Sequence, residues 1–298
     1  MRFVFVLQLF FFIFSNSCRE AQSHPATLVA APDSGCAGIS YRYMWMGAAT
    51  YDLNNTLCAR FNPSDGFVRA NYSAGSFAFW LRGLPLLEEG TEVKLYNGDL
   101  KLNQGAQAAV IDIDVGKKDL QQCADAVMRL RAEYLFATRQ YDKIAFNYTS
   151  GDRLDYKRWT EGRRIVVEGN KTREARTGRK LDMTDHKVFR QYMDNIFMYC
   201  GTLSLSREMK SIPLDSMQSG DVFIHGGSPG HAVIIVDMSV NPLTGEREFC
   251  CAQSYMPAQQ PHILRNPLRG QNPWYPLKFG NRLITPEYEF GAEELKRF

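Results

Sequence analysis

The chain has 298 residues, with 35 Lys+Arg against 32 Asp+Glu and a formal net charge of +3. A balance this close to neutral excludes the strongly basic surface of a nucleic-acid binder. Apolar residues make up 45% and charged residues 22%, a composition that excludes a disordered chain and suits a packed soluble core.

Residues 3–14, FVFVLQLFFFIF, form an apolar run behind Met1 and Arg2. The run is too short to span a bilayer and has the form of the hydrophobic segment of an export signal. Ser15-Asn16-Ser17-Cys18 follows. Small residues ending in a cysteine are similar to the lipobox of bacterial lipoproteins. Cys18 is therefore expected to carry lipid, to begin the mature chain and to anchor it to a membrane of the cell envelope. Ordinary secretion, with cleavage nearby, is the alternative. The expected organisation is a lipoprotein-type signal peptide over 1–18, a tether and irregular N-terminal region over 19–75, and a single α+β domain over 76–298.

In chain order, FAFWLRGLPL (77–86) reads as a short apolar element ended by Gly83 and Pro85. EVKLY (92–96) reads as a strand and Asn97-Gly98 as a hairpin turn. AQAAVIDIDVG (106–116) has the pattern of a buried strand. A helix is expected next, capped by Asp119 with Gln122 three residues on, as in a capping box. Leu120, Ala124, Val127, Leu130, Tyr134 and Leu135 recur at helical spacing to about residue 137. IAFNY (144–148) and RIVVE (164–168) read as strands. A basic stretch over 153–180 reads as a solvated loop face, with an anionic-ligand patch as the alternative. A second helix is expected over 187–200, then a helical turn at LSLSREMK, then the strands DVFIH, AVIIVD and REFCCAQS. The proline-rich tail is expected to wind along the surface. The expected fold is thus an antiparallel sheet of about six strands packed with two main helices.

Three positions carry the candidate chemistry. Cys123 lies in the first turn of a helix, where free N–H groups and the helix dipole favour a thiolate and lower its pKa. His231 opens an apolar run after the loop Gly226-Gly227-Ser228-Pro229-Gly230, whose glycines indicate a close backbone approach. Gln253 ends the next strand, where its amide oxygen can accept from the imidazole and fix the tautomer. Gln122, beside the thiol, is a candidate donor to an oxyanion. Cys123 as a buried packing thiol is the competing reading. Cys200, Cys250 and Cys251 are expected to be packing residues, with the last two on opposite faces of a strand. Cys36 and Cys58 are a possible pair in an exported chain. The spacings offer no zinc or other metal site, and no cofactor is expected.

The motifs LYNG, AAVIDIDVG, DLQQCADAVMRLRAEYL, GTLSLSRE, GDVFIHGGSPGHAVIIVD and AQSYMPAQ resemble an uncharacterised family of bacterial envelope lipoproteins, domain of unknown function 4846. The family pattern has His before Ala108-Ala109-Val110, where this chain has Gln107. More remotely, the order Cys123, His231, Gln253 resembles papain-like thiol hydrolases, including the NlpC-type cell-wall amidases. That resemblance implies a papain-like arrangement and an envelope thiol hydrolase that cleaves an amide bond in a cell-wall peptide. The partners it implies are a peptide or cell-wall fragment and a lipid anchor. The alternative is a surface lipoprotein that binds peptide or glycan in the same cleft without catalysis.

Overall fold

The computed structural model describes Cys36, residues 41–169 and residues 171–298, all within one compact unit, Asp33–Phe298. Cys18 and the apolar run 3–14 lie outside the described residues. No helix among the described residues is long and apolar enough to cross a membrane.

The chain passes through helix α1 (Leu57–Arg60), strand β1 (Val68–Arg69), helix α2 (Phe77–Arg82) and strand β2 (Gln107–Val110). Helix α3 (Cys123–Ala137) leads to the hairpin β3 (Ala145–Asn147) and β4 (Arg153–Asp155). Helix α4 (Tyr156–Thr160) and a second hairpin, β5 (Arg163–Glu168) with β6 (Lys171–Arg176), come next. Helices α5 (His186–Tyr199) and α6 (Thr202–Glu208) and strand β7 (Lys210–Ser211) precede β8 (Val222–His225), β9 (His231–Val240) and β10 (Arg247–Gln253). The tail holds β11 (His262–Leu264), β12 (Tyr275–Pro276), β13 (Arg282–Ile284), β14 (Glu289–Gly291) and β15 (Leu295–Arg297).

The architecture is α+β, with an antiparallel main sheet and α3 and α5 as the two main helices. The sheet is larger than the six strands expected. Nine strands join it, in the order β2-β11-β10-β9-β8-β15-β7, with β1 added to β9 and β12 to β10. The extra strands are mostly two or three residues long, too short for periodicity to reveal. Several come from the tail, which does not simply follow the surface. Trp274, Tyr275, Phe290 and Leu295 are all buried. The expected strand at 92–96 is instead an irregular loop with single bridges, Lys94 to Leu100 and Leu95 to Gln259.

Alternation along β8, β9 and β10 sends apolar side chains to both faces. Ala232, Ile234, Val236, Cys250 and Ala252 face the helices, where they join a core with Val127, Phe189 and Tyr192. Val233, Ile235, Phe249 and Cys251 face the opposite core with Phe290 and Leu295. Cys250 and Cys251 therefore point to opposite sides. An irregularity in the ladder, where Cys250 pairs Asp237 but Cys251 pairs Ile235, keeps this division intact along the whole of β9. Without the extra residue, one end of the strand would turn its apolar side chains the wrong way.

The segment before α2 is part of this core. Tyr43 and Leu57 are buried in it, and Cys58 forms a disulfide with Cys36. The buried Asp237 carboxylate is bracketed by Arg69 and by Arg82, the latter at 2.8 Å, which compensates charge that burial alone would make prohibitive.

Candidate functional site: a thiol, an imidazole and a buried polar chain

Antiparallel pairing of β9 with β10 brings the first residue of one strand to the last of the other. Ala252 pairs Ile234, so Gln253 stands one step beyond, on the same face as His231 and diagonal to it. The imidazole Nε2 of His231 lies 2.7 Å from Gln253 Oε1. His231 is buried and packed between aromatic rings, Tyr255 at 4.8 Å and Tyr288 at 5.2 Å between centroids. Burial pushes its pKa down to about 4, so the ring is neutral at pH 7.

Behind Gln253 stands a chain of polar groups that sequence reasoning missed. Gln253 Nε2 donates to Glu287 Oε2 at 2.6 Å and lies 3.3 Å from His262 Nε2. Glu287 also takes Lys101 Nζ at 2.5 Å and Asn103 Nδ2 at 3.1 Å. His262 Nδ1 donates to the Gln260 carbonyl at 2.9 Å, and burial pushes its pKa down to about 3. Glu287 sits in the turn between β13 and β14, which closes with Thr285 N–H donating to the Tyr288 carbonyl at 2.9 Å. Pro286 occupies the second position of that turn, where its fixed φ fits. The only sequence signal was this proline, and it reads as a turn, not as a site.

Cys123 is the first residue of α3, which packs across β9. The expected cap is corrected here. Gln122 is the N-cap residue and its main-chain N–H donates to Asp125 Oδ2 at 3.0 Å. Asp119 lies outside the helix. Its Oδ1 accepts from Ala258 N at 2.7 Å and from Gln122 Nε2 at 3.1 Å. Tertiary contact with the 258 segment, invisible to local pattern, claims the carboxylate that was expected to cap. It also holds the side-chain amide of Gln122, which borders the cavity, on Asp119.

The main-chain N–H groups of Ala124, Ala232 and Cys123 itself face the sulfur. The expected lowering of the thiol pKa is not found. Burial, with the Asp125 carboxyl adding to it, pushes Cys123 up to about 11. Asp125 is itself buried, and burial pushes its carboxyl well above the usual carboxylate range. Helix-start N–H groups offset part of a desolvation cost that outweighs them. The other free thiols, Cys200, Cys250 and Cys251, are pushed further up.

Cys123 and His231 border one cavity of about 580 Å³, together with Asp125, Cys200, Thr202 and Tyr255. The volume is in the range of small-ligand clefts. Among the described residues, no hydrogen bond joins the sulfur to the imidazole. Cys200, at the end of α5, lines the same cavity.

The close backbone approach expected of the glycine loop has an identified partner. A Cβ on Gly226 would meet Ser206 Oγ at 2.1 Å, and one on Gly230 would meet Thr202 Oγ1 at 2.4 Å. Gly226 and Gly230 let the loop pack closely against α6. His225 lies outside the cavity, half exposed, with Nδ1 2.5 Å from Glu294. Ser254 is spent on the main-chain carbonyls of Gln121 and Gln259. Among the described residues, no group of three or more His, Cys, Asp or Glu side chains is arranged to hold a metal ion.

A family model described as Domain of unknown function (4846) matches residues 57–297, and the chain belongs to that family. No curated protein matches it, and no solved structure does.

Proposed function

We propose that this protein is an envelope thiol hydrolase that cleaves an amide bond in a cell-wall peptide. One observation carries the reading. A cysteine at a helix start and a histidine oriented by an amide open onto the same ligand-sized cavity. In this reading the helix start, strand start and neighbouring strand end play the parts they have in papain-like hydrolases. In this reading His231 Nδ1 takes the proton from Cys123 as Sγ attacks the carbonyl carbon. The imidazolium then protonates the leaving amine, and water hydrolyses the thioester. The oxyanion is assigned to the N–H groups at the start of α3, because the Gln122 amide is engaged with Asp119.

A thiol with a pKa of about 11 beside a neutral imidazole makes proton transfer part of the attack rather than a resting ion pair. Catalytic contacts commonly tighten only once substrate is bound. The protein acts outside the cytoplasm, held to a membrane by lipid on Cys18. The Cys36–Cys58 disulfide suits an oxidising compartment.

The test is incubation with cell-wall peptides, following amine release, beside timed alkylation mapped by peptide mass. Release by the wild type and none by Cys123→Ala is expected, with alkylation of Cys123 slowed in His231→Ala. The raised thiol pKa favours a second reading, in which the cavity binds peptide or glycan without cutting it. Tight binding with no amine release, and labelling of Cys123 indifferent to His231, would establish that reading instead. Mass spectrometry of the native N-terminus tests the anchor, and an unmodified start elsewhere sinks it.

A further inference from the structure

We infer that Glu287, in the turn between β13 and β14, sets the tautomer of His231 by fixing which way the Gln253 amide points. The inference rests on the thiol-hydrolase reading only for its catalytic consequence, since the hydrogen-bond logic needs no substrate.

The logic is one of donors and acceptors. The Glu287 carboxylate is paired with Lys101 and can only accept. The atom of Gln253 that faces it at 2.6 Å must therefore be the amide nitrogen. The second amide hydrogen points to His262 Nε2 at 3.3 Å. That nitrogen is free to accept because His262 Nδ1 donates to the Gln260 carbonyl. Lys101 Nζ, 3.4 Å from the same His262 nitrogen, also requires it to be an acceptor. With both amide hydrogens placed, Gln253 turns its oxygen to His231 Nε2. An amide oxygen accepts only, so the proton of the neutral imidazole sits on Nε2. Nδ1 is left with a lone pair, and it is the nitrogen that must receive the thiol proton in the proposed reaction.

The opposite amide orientation fails twice. It sets the amide oxygen against the Glu287 carboxylate oxygen and against the lone pair of His262 Nε2. A buried site resolves such a conflict by moving a proton or breaking a contact. Glu287 is thus a positioning residue, two hydrogen bonds removed from the imidazole. Lys101 and Asn103 hold it in place.

The experiment is nitrogen-15 NMR of the histidine side chains in the folded chain near neutral pH, with the His231 signals assigned by His231→Gln. The wild type is expected to show one tautomer, protonated at Nε2. In Glu287→Gln the new amide can present its own N–H₂, Gln253 is free to turn over, and the Nδ1-protonated form should rise at least about tenfold. Reactivity of Cys123 should fall at least about tenfold in parallel, as a wrong tautomer impairs a histidine base. Glu287→Asp keeps an acceptor-only group and should keep the wild-type tautomer. If Glu287→Gln does not fold because Lys101 is left buried without its partner, Lys101→Met with Glu287→Gln removes both charges and serves instead. An unchanged Nε2-protonated signature in whichever of these folds overturns the inference. Failure of the hydrolase reading looks different. The tautomer would shift as expected while Cys123 labelling stayed slow in every variant.

Discussion

His231 and Cys123 border one cavity, but their surroundings differ. Behind the imidazole, Gln253, Glu287, Lys101 and His262 satisfy one another donor to acceptor. Near the thiol, Asp125 Oδ1 and, two residues before Cys123 in the chain, Gln121 Nε2 are buried without a hydrogen-bond partner, and main-chain N–H groups of Ala124, Ala232 and Cys123 face the sulfur. A connected polar network holds a ring in one orientation and one protonation state, because any rearrangement strands several buried groups at once. Unpartnered groups impose no such order. The difference is that the His231 ring is held by a connected network and the Cys123 thiol is not, which under the proposed function means a preorganised base.

The comparison is broken most severely at Gln253. Gln253→Ala removes the acceptor from His231 and the donor from both Glu287 and His262. Two buried rings and a partly buried carboxylate losing a partner should together cost about 4 kcal/mol, measured as a lower denaturation midpoint. A loss below about 1 kcal/mol would mean the network is not tight.

Next in size is an acid sensitivity of the imidazole side. His231 and His262 are pushed down to about 4 and about 3, against about 6.5 when unfolded. Below about 6.5 the unfolded chain binds protons that the folded chain does not, so stability rises with pH through this window. It is fully present above about 6.5 and is lost as pH falls toward 4. His231 alone contributes about 3 kcal/mol to that loss. Urea titrations from about pH 7 to pH 4 measure it, and His231→Gln should flatten the profile. A wild-type curve that stays level over that range would contradict a buried neutral ring.

The thiol side should respond far less. Burial pushes the Asp125 carboxyl well above the usual carboxylate range, and Asp125→Asn keeps an oxygen for the Gln122 N–H. Its effect on stability should stay within about 1 kcal/mol. A larger loss would show that Oδ1 has a partner the resting structure lacks. The smallest effect is expected from Cys200→Ala. This thiol lines the cavity but belongs to the packing at the end of α5, so Cys123 labelling should be unchanged. Slower labelling of Cys123 would make the two thiols functionally linked.

How much of this was legible in the chain depended on the reach of each signal. The helical repeat from Ala124 to Leu135 located α3, and the face of Val188, Phe189, Tyr192, Met193, Ile196 and Phe197 located α5, because burial of one face leaves a 3.6-residue period. Alternation placed Cys250 and Cys251 on opposite sides of the sheet. His231 and Gln253 were legible as a pair because adjacent antiparallel strands put one strand's start beside the other's end. The start of α3 was misplaced because capping residues compete with distant partners, and Ala258 took Asp119.

The sequence by itself determined the α+β class, the two main helices and the strand ends that carry His231 and Gln253, since periodicity and turn chemistry are local. Tertiary structure alone decided the rest. Lys101, His262 and Glu287 come from three separate stretches, and Glu287 meets Lys101 across 186 residues of chain. Their convergence follows from sheet order and from the C-terminal hairpin folding over His231. The direction of the thiol's pKa was settled the same way. A helix start favours the thiolate, but depth of burial opposes it, and depth is a property of everything packed around Cys123 rather than of the residues beside it in the chain.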